Sequence, residues 1–231
     1  MIMRRIIMTL SAAALLCTGA IAQRKATPAA PTSSVTPQSL LERAEASLYR
    51  TGATVVDFST QLQDKAGRSA GSTTGKMHLQ GDAFRLEYGT ITAVYTAGTL
   101  TYYDSAEHTL TISKPSQDEL LQINPLYFLR SRAQGFTSQL EGKAGATAVV
   151  AFTPQQKSNI SRVVTTFQTS NGIPTQLVFT AKDKSVLTAR VAKVSPRTAY
   201  AASFFTLSAK SYPGCEVVDL RQVSPRPPSR Y

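Results

Sequence analysis

The sequence predicts a mainly β protein. One antiparallel sheet of about ten or eleven strands curls into an unclosed half-barrel, with short α-helices covering its apolar interior. Three observations carry this expectation. From Thr54 onward, apolar residues recur at every second position in one segment after another. Each segment is one strand long and ends near Gly or Asp, as hairpin-linked strands do. Only two stretches in this region and just before it follow helical spacing instead. A strongly twisted sheet of this size curls, and its apolar face needs a cover that only those two helices can supply.

The elements follow in order. Residues 1–22 form a signal peptide: "MIMRR" is a basic start, "IIMTLSAAALL" an apolar run too short for a comfortable membrane span, and "AIA" a small-residue cleavage site before Gln23. Residues 23–37 are polar with three prolines and read as a flexible leader. A folded domain is expected over 38–221. It opens with "TPQSLLERAEASLYR", where Thr36 or Ser39 caps a helix and Leu40, Leu41, Ala44 and Leu48 recur at steps of three and four. Strands follow. Val56, Phe58 and Leu62 alternate with polar residues, then Met77 and Leu79, then Phe84, Leu86 and Tyr88; "ITAVYTAG", "TLTYYD" and "HTLTISK" continue the pattern, the last with Leu110 and Ile112 on one face.

"INPLYFLRSR" interrupts the strands. Asn124 suits a helix N-cap and Pro125 a first helical position, and Leu126, Phe128 and Leu129 leave the piece with no polar side, so it should be buried. Strands resume from "FTSQLEG" to "SVLTARVAKV", with a hairpin expected at Asn171-Gly172 and another tight turn at Lys182–Lys184. Residues 222–231, ending in "SPRPPSRY", form a Pro-rich basic tail expected to be disordered.

Composition and motifs narrow the chemistry. The chain of 231 residues carries a formal charge of +11, and loss of Arg4 and Arg5 with the signal peptide lowers this to +9. A basic exported protein can meet anionic membrane surfaces or an acidic partner; nucleic acid is not an expected partner there. Loss of Cys17 leaves Cys215 alone, so no intrachain disulfide forms and the core must hold the fold. His78 and His108 lie on separate strands without acidic or Cys companions at metal-ligand spacing. There is no nucleophile elbow, phosphate loop or dinucleotide fingerprint. A non-enzymatic monomer without cofactor is expected. Patterning alone leaves two ways to bury the sheet's apolar face: a filled core or a ligand cavity.

A resemblance bears on that choice. The order of the amphipathic helix, "DFSTQLQD", "GKMHLQGDAFRLEYG", "AGTLTYYD", the Asn-Pro helix and the closing "FFTLSAKSYPGCEVVDLR" resembles the LolA family of periplasmic lipoprotein carriers, over roughly Gln38 to Arg221. The resemblance implies a half-barrel whose cavity shields the acyl chains of lipoproteins, or of other lipids, on the way from the inner to the outer membrane. It also implies an inner-membrane donor complex and an outer-membrane acceptor as partners. A lipid-sensing regulator or an outer-membrane acceptor of the same fold is the alternative. On this reading Val56, Phe58, Met77, Leu79, Phe84, Leu86, Leu110 and Ile112 line the cavity, and Leu41, Leu48, Leu126, Phe128 and Leu129 form the lid. Arg85, Arg130 and Arg132 are rim residues that either dock a partner or face solvent. One departure stands out. Gln80 and Gly81 occupy the places of an Arg-Pro pair whose Arg ties sheet to lid in the best-known members, so a charged latch is not expected there.

Overall fold

The computed structural model describes residues 35–221. The expected signal peptide, the leader through Ser34 and the tail 222–231 lie outside the described residues. The first element is α1 (Pro37–Leu48). Thr36 caps it reciprocally with Ser39, each side chain accepting from the other's backbone N–H, and Pro37 takes the first helical position. Its stripe of Leu40, Leu41, Ala44 and Leu48 is buried. Six strands follow as a meander: β1 (Ala53–Gln63), β2 (Ser69–Gln80), β3 (Ala83–Tyr88), β4 (Ile91–Thr96), β5 (Thr99–Asp104) and β6 (Thr109–Ser113). After two helices, α2 (Gln117–Ile123) and α3 (Tyr127–Arg130), a second meander runs through β7 (Phe136–Ala144), β8 (Thr147–Pro154), β9 (Ile160–Gln168), β10 (Pro174–Ala181) and β11 (Val186–Arg197). A last strand, β12 (Glu216–Asp219), brings the described sheet to twelve.

The strand order is β12-β6-β5-β4-β3-β2-β1-β11-β10-β9-β8-β7, a single unclosed sheet. Each meander is built from neighbouring hairpins, and the two join where β1 pairs with β11. This order explains the lid. β6 lies next to one edge and β7 is the other edge, so residues 114–135 must travel from edge to edge. The short route crosses the concave face, and α2 and α3 are the helical parts of that crossing.

The crossing differs from the expectation in detail. Asn124 is the C-cap of α2 rather than an N-cap, Pro125 lies between the helices, and Leu126 precedes α3. The Asn124 side-chain oxygen accepts from the Leu126 N–H at 3.0 Å, which turns the chain from one helix into the next.

The convex face is not uniformly wet. After β11 the chain folds back across the outside of β2–β6 before β12 pairs in parallel with β6. Tyr200 and Phe204 stack at 4.0 Å and pack edge-on to His78, while Tyr212 stacks at 3.7 Å on Tyr103. This strap corrects two of the expected cavity residues. Leu110 lies opposite Tyr103 and Ile112 opposite Thr101, so both face the convex side; their concave neighbour is Thr111, opposite Tyr102. Leu110 is buried, but outside the core that the helices cover. Arg85 also faces out, its guanidinium 5.1 Å from the Phe204 ring.

Candidate functional site

The concave wall follows from register. In antiparallel pairs, residues directly opposite one another share a face. Val56 lies opposite Met77, which lies opposite Leu86; Leu79 lies opposite Phe84. With Phe58 these six expected wall residues share the concave face and one core cluster. Phe58 lies across from Gly75, and a Cβ at Gly75 would come within 2.7 Å of its ring, so glycine gives that ring its place over β2.

The second meander contributes as much of the wall, and residues there were not singled out in the sequence. Val150, Phe152, Val163, Phe167, Leu177 and Phe179 are all buried in the same cluster. The signal was present in "TAVVAFTP", "RVVTTFQT" and "QLVFTA", whose apolar residues alternate as clearly as those of β1–β3.

All five expected lid residues, Leu41, Leu48, Leu126, Phe128 and Leu129, pack into this cluster. Phe128 is fully buried and meets Phe152, Phe136 and Phe179 edge-on, with ring centres 4.9, 5.0 and 6.1 Å away. Below α3 the fit is close. The void among Phe58, Met77, Leu126 and Val191 measures about 10 Å³, at the lower limit for one water.

Charge ties the lid down from a direction the sequence did not suggest. Arg130 on α3 reaches Glu45 of α1 at 2.9 Å and Asp82 of the β2–β3 turn at 2.6 Å. Arg132 pairs with the other oxygen of Glu45. The Arg130 guanidinium also lies 5.4 Å from the Tyr49 ring. Burial pushes the Tyr49 hydroxyl far above its ordinary pKa, so it stays protonated and donates to the Leu126 carbonyl at 3.2 Å. Gln80 takes no part in this. Its amide accepts from the Tyr200 N–H at 2.6 Å and donates to the Tyr200 carbonyl, fastening the convex strap. Only the Arg130–Asp82 pair joins lid to sheet, while the Glu45 pairs tie the α3 region to α1, so Arg130 and Arg132 are engaged rather than free rim charges.

Under α2 the packing opens. A groove of about 660 Å³ runs between Leu121 and Leu62, Ile160, Phe179 and Leu187. A second, of about 200 Å³, continues from Leu187 to Phe58, Leu86, Tyr88, Ile123 and Pro125. A third, of about 380 Å³, lies along Ile91, Leu100, Tyr102, Ile123 and Leu220. Leu187 borders both the first and the second, and Ile91 and Ile123 border both the second and the third, so the three adjoin as neighbouring parts of a trough beneath α2. Polar residues, Asn159, Lys182, Asp183 and Ser185, gather at the first groove, while in the second the hydroxyls of Thr60 and Tyr88 satisfy each other. The trough's mouth is the sheet end that carries the β1–β2, β8–β9 and β10–β11 turns. The opposite end is plugged by α1, which sits on the β9–β10 turn: Arg43 donates to the Thr169 carbonyl at 2.5 Å and Ser47 to that of Asn171 at 2.7 Å.

Helix α2 holds its place by its own cap. The Ser116 N–H donates to Glu119 at 2.6 Å, and the Glu119 N–H returns to the Ser116 hydroxyl at 3.3 Å. The Ser116 donors hold the Glu119 carboxyl below its ordinary range. The sequence pattern Ser-x-x-Glu at 116–119 announced this helix, although the expected elements did not include it.

Comparison with known proteins agrees with this geometry. Residues 50–208 match the family model described as "Outer membrane lipoprotein carrier protein LolA". No curated protein matches the chain significantly. Among solved structures, an uncharacterized conserved protein from Thermus thermophilus is 16% identical, with a TM-score of 0.53 over 79% of this chain and 98% of that one, and so shares the fold. A LolA superfamily protein from Nitrosomonas europaea is 12% identical over 75% of this chain and 99% of its own, at TM-score 0.45. A putative outer membrane lipoprotein-sorting protein domain from Vibrio parahaemolyticus is 11% identical over 74% and 97%, at TM-score 0.40.

Proposed function

The chain belongs to the outer membrane lipoprotein carrier protein LolA family, and from that premise we propose that it is a non-enzymatic periplasmic carrier which shields acyl chains of lipoproteins in the trough beneath α2. The trough is the observation that carries this reading: adjoining hollows, lined largely by apolar side chains, lie under α2 from Leu62 at the sheet end to Phe58 and Leu86 within. Acyl carbons gain roughly 0.8 kcal/mol per CH₂ on leaving water, so about ten of them reach near-micromolar affinity. A carrier must also release its load. A lid fastened by partly exposed ion pairs gives that reversibility, because each pair contributes only a fraction of a kcal/mol to about 1 kcal/mol. Receipt from an inner-membrane donor and delivery to an outer-membrane acceptor complete the proposed cycle, with export by the expected signal peptide placing the protein between the two membranes.

The six concave wall residues and the lid residues named from the sequence form the closed floor and roof of this device. The cargo path runs beside them, along Leu121, Ile123 and Leu187. Phe84 and Leu129 sit in close-packed core, where a charge would threaten the fold, so the test belongs at partly exposed trough positions. Ile123→Glu and Leu187→Glu should fold and should each lower uptake of a fluorescent fatty acyl probe at least tenfold. Full uptake by both folded variants would reject the trough as the acyl site.

A further inference from the structure

The trough's mouth is chemically lopsided. Three consecutive turns on one side of it carry five cations: Lys65 and Arg68 between β1 and β2, Lys157 between β8 and β9, and Lys182 and Lys184 between β10 and β11. All four lysines are exposed, and none makes an ion pair among the described residues. The two carboxylates in these turns are engaged locally. Asp64 accepts from the Ala66 and Arg68 backbone and pairs with the Arg68 guanidinium at 2.8 Å; Asp183 accepts from the Ser185 N–H and hydroxyl. Two further acidic groups, Asp104 and Glu107, lie at the β5–β6 turn, on the same end of the sheet but toward its β12 edge. Among the lysines stands Leu62, a trough-lining side chain left 43% exposed to solvent.

An apolar side chain ringed by unpaired lysines, at the entrance of an oily groove, matches the chemistry of a bilayer surface: anionic headgroups outside, hydrocarbon beneath. We propose that the side of the mouth formed by Lys65, Lys157, Lys182, Lys184 and Leu62 docks directly on an anionic lipid bilayer. This rests on the reading of the trough as an acyl site, since docking there aligns the groove with the layer from which a chain leaves or into which it returns. The acidic side of the mouth then tilts away from the membrane, which gives the docked protein one orientation.

The experiment is partitioning of the full mature chain onto phosphatidylcholine vesicles with and without phosphatidylglycerol, read by co-flotation. The wild type should bind only the phosphatidylglycerol-containing vesicles and detach in about 1 M salt, where the Debye length is near 3 Å. Each lysine at such a surface raises partitioning about fivefold, so Lys65→Glu, Lys157→Glu and Lys184→Glu together should lower it by two orders of magnitude or more. This variant keeps Arg221 and the basic tail, so binding equal to wild type would assign the attraction elsewhere and overturn the proposal. Absence of wild-type binding to phosphatidylglycerol, or equal binding to neutral vesicles, would overturn it as well. Uptake of the acyl probe delivered from cyclodextrin, with no vesicle present, separates the two readings. Intact docking alongside normal uptake by Ile123→Glu and Leu187→Glu sinks the acyl site alone; normal uptake by wild type without docking sinks the surface alone.

Discussion

Individual residues show where sequence periodicity stops being informative. "HTLTISK" says that Leu110 and Ile112 share a face, and they do; it does not say which face looks inward. That choice depends on the strap of residues 198–215, which buries part of the convex side and so rewards apolar residues on both faces of β6. Gly172 shows the opposite situation, a strong local signal with a tertiary cause. It adopts φ +70°, and a Cβ there would stand 2.5 Å from the Arg43 Cβ and 2.6 Å from the Ala44 nitrogen. Gly172→Ala should cost about 2–3 kcal/mol in urea unfolding, combining left-handed strain with displacement of α1. Gly145→Ala, at φ +55° with open space around it, should cost about 1 kcal/mol. His78 adds a pH dependence. It is 8% exposed and its Nδ1 meets the Tyr200 hydroxyl at 2.7 Å; burial above all lowers its pKa from the ordinary 6.5. The unfolded chain then takes up a proton before the folded one does. Stability is full above about pH 6.5 and falls below it, by at most about 1.4 kcal/mol per pH unit, until the folded form also protonates. His78→Gln should flatten that part of the urea-midpoint profile.

Among the elements, β1–β11 and α1 were legible because each carries its own periodicity or caps; the four-residue β12 was not. Helix α2 was announced by its Ser116–Glu119 cap but not by periodicity, because "QDELLQI" is seven residues long and its face is set by a crossing that only the strand order reveals. Asn124-Pro125 mimicked a helix start, while its role is to end one helix and turn into the next. The lid's fastening was equally unreadable: Glu45, Asp82 and Arg130 come from three separate parts of the chain. Their exposure grades the expected effects. Asp82 is 83% exposed, so Asp82→Asn should change resting probe uptake by a few-fold at most. Arg130→Gln removes both ion pairs and the contact with Tyr49, and should raise the rate of probe entry about tenfold, as read by stopped-flow fluorescence, with a smaller change in the amount bound.

At the scale of the whole molecule, the predicted half-barrel and the observed sheet agree because curling needs only many short strands and one well-buried face. The split of the interior into a packed end under α1 and α3 and an open end under α2 needed tertiary information, since no strand pattern distinguishes its two ends. The junction of β1 with β11 has a consequence of its own. Each meander can zip up from adjacent hairpins, but Ala53 must find Arg197 and Gln63 must find Val186 before the halves become one wall. That late, distant ladder makes assembly slow and leaves two oily half-shells exposed until it closes. A newly made chain is therefore a client needing protection from clumping well before it can offer shelter to anything else.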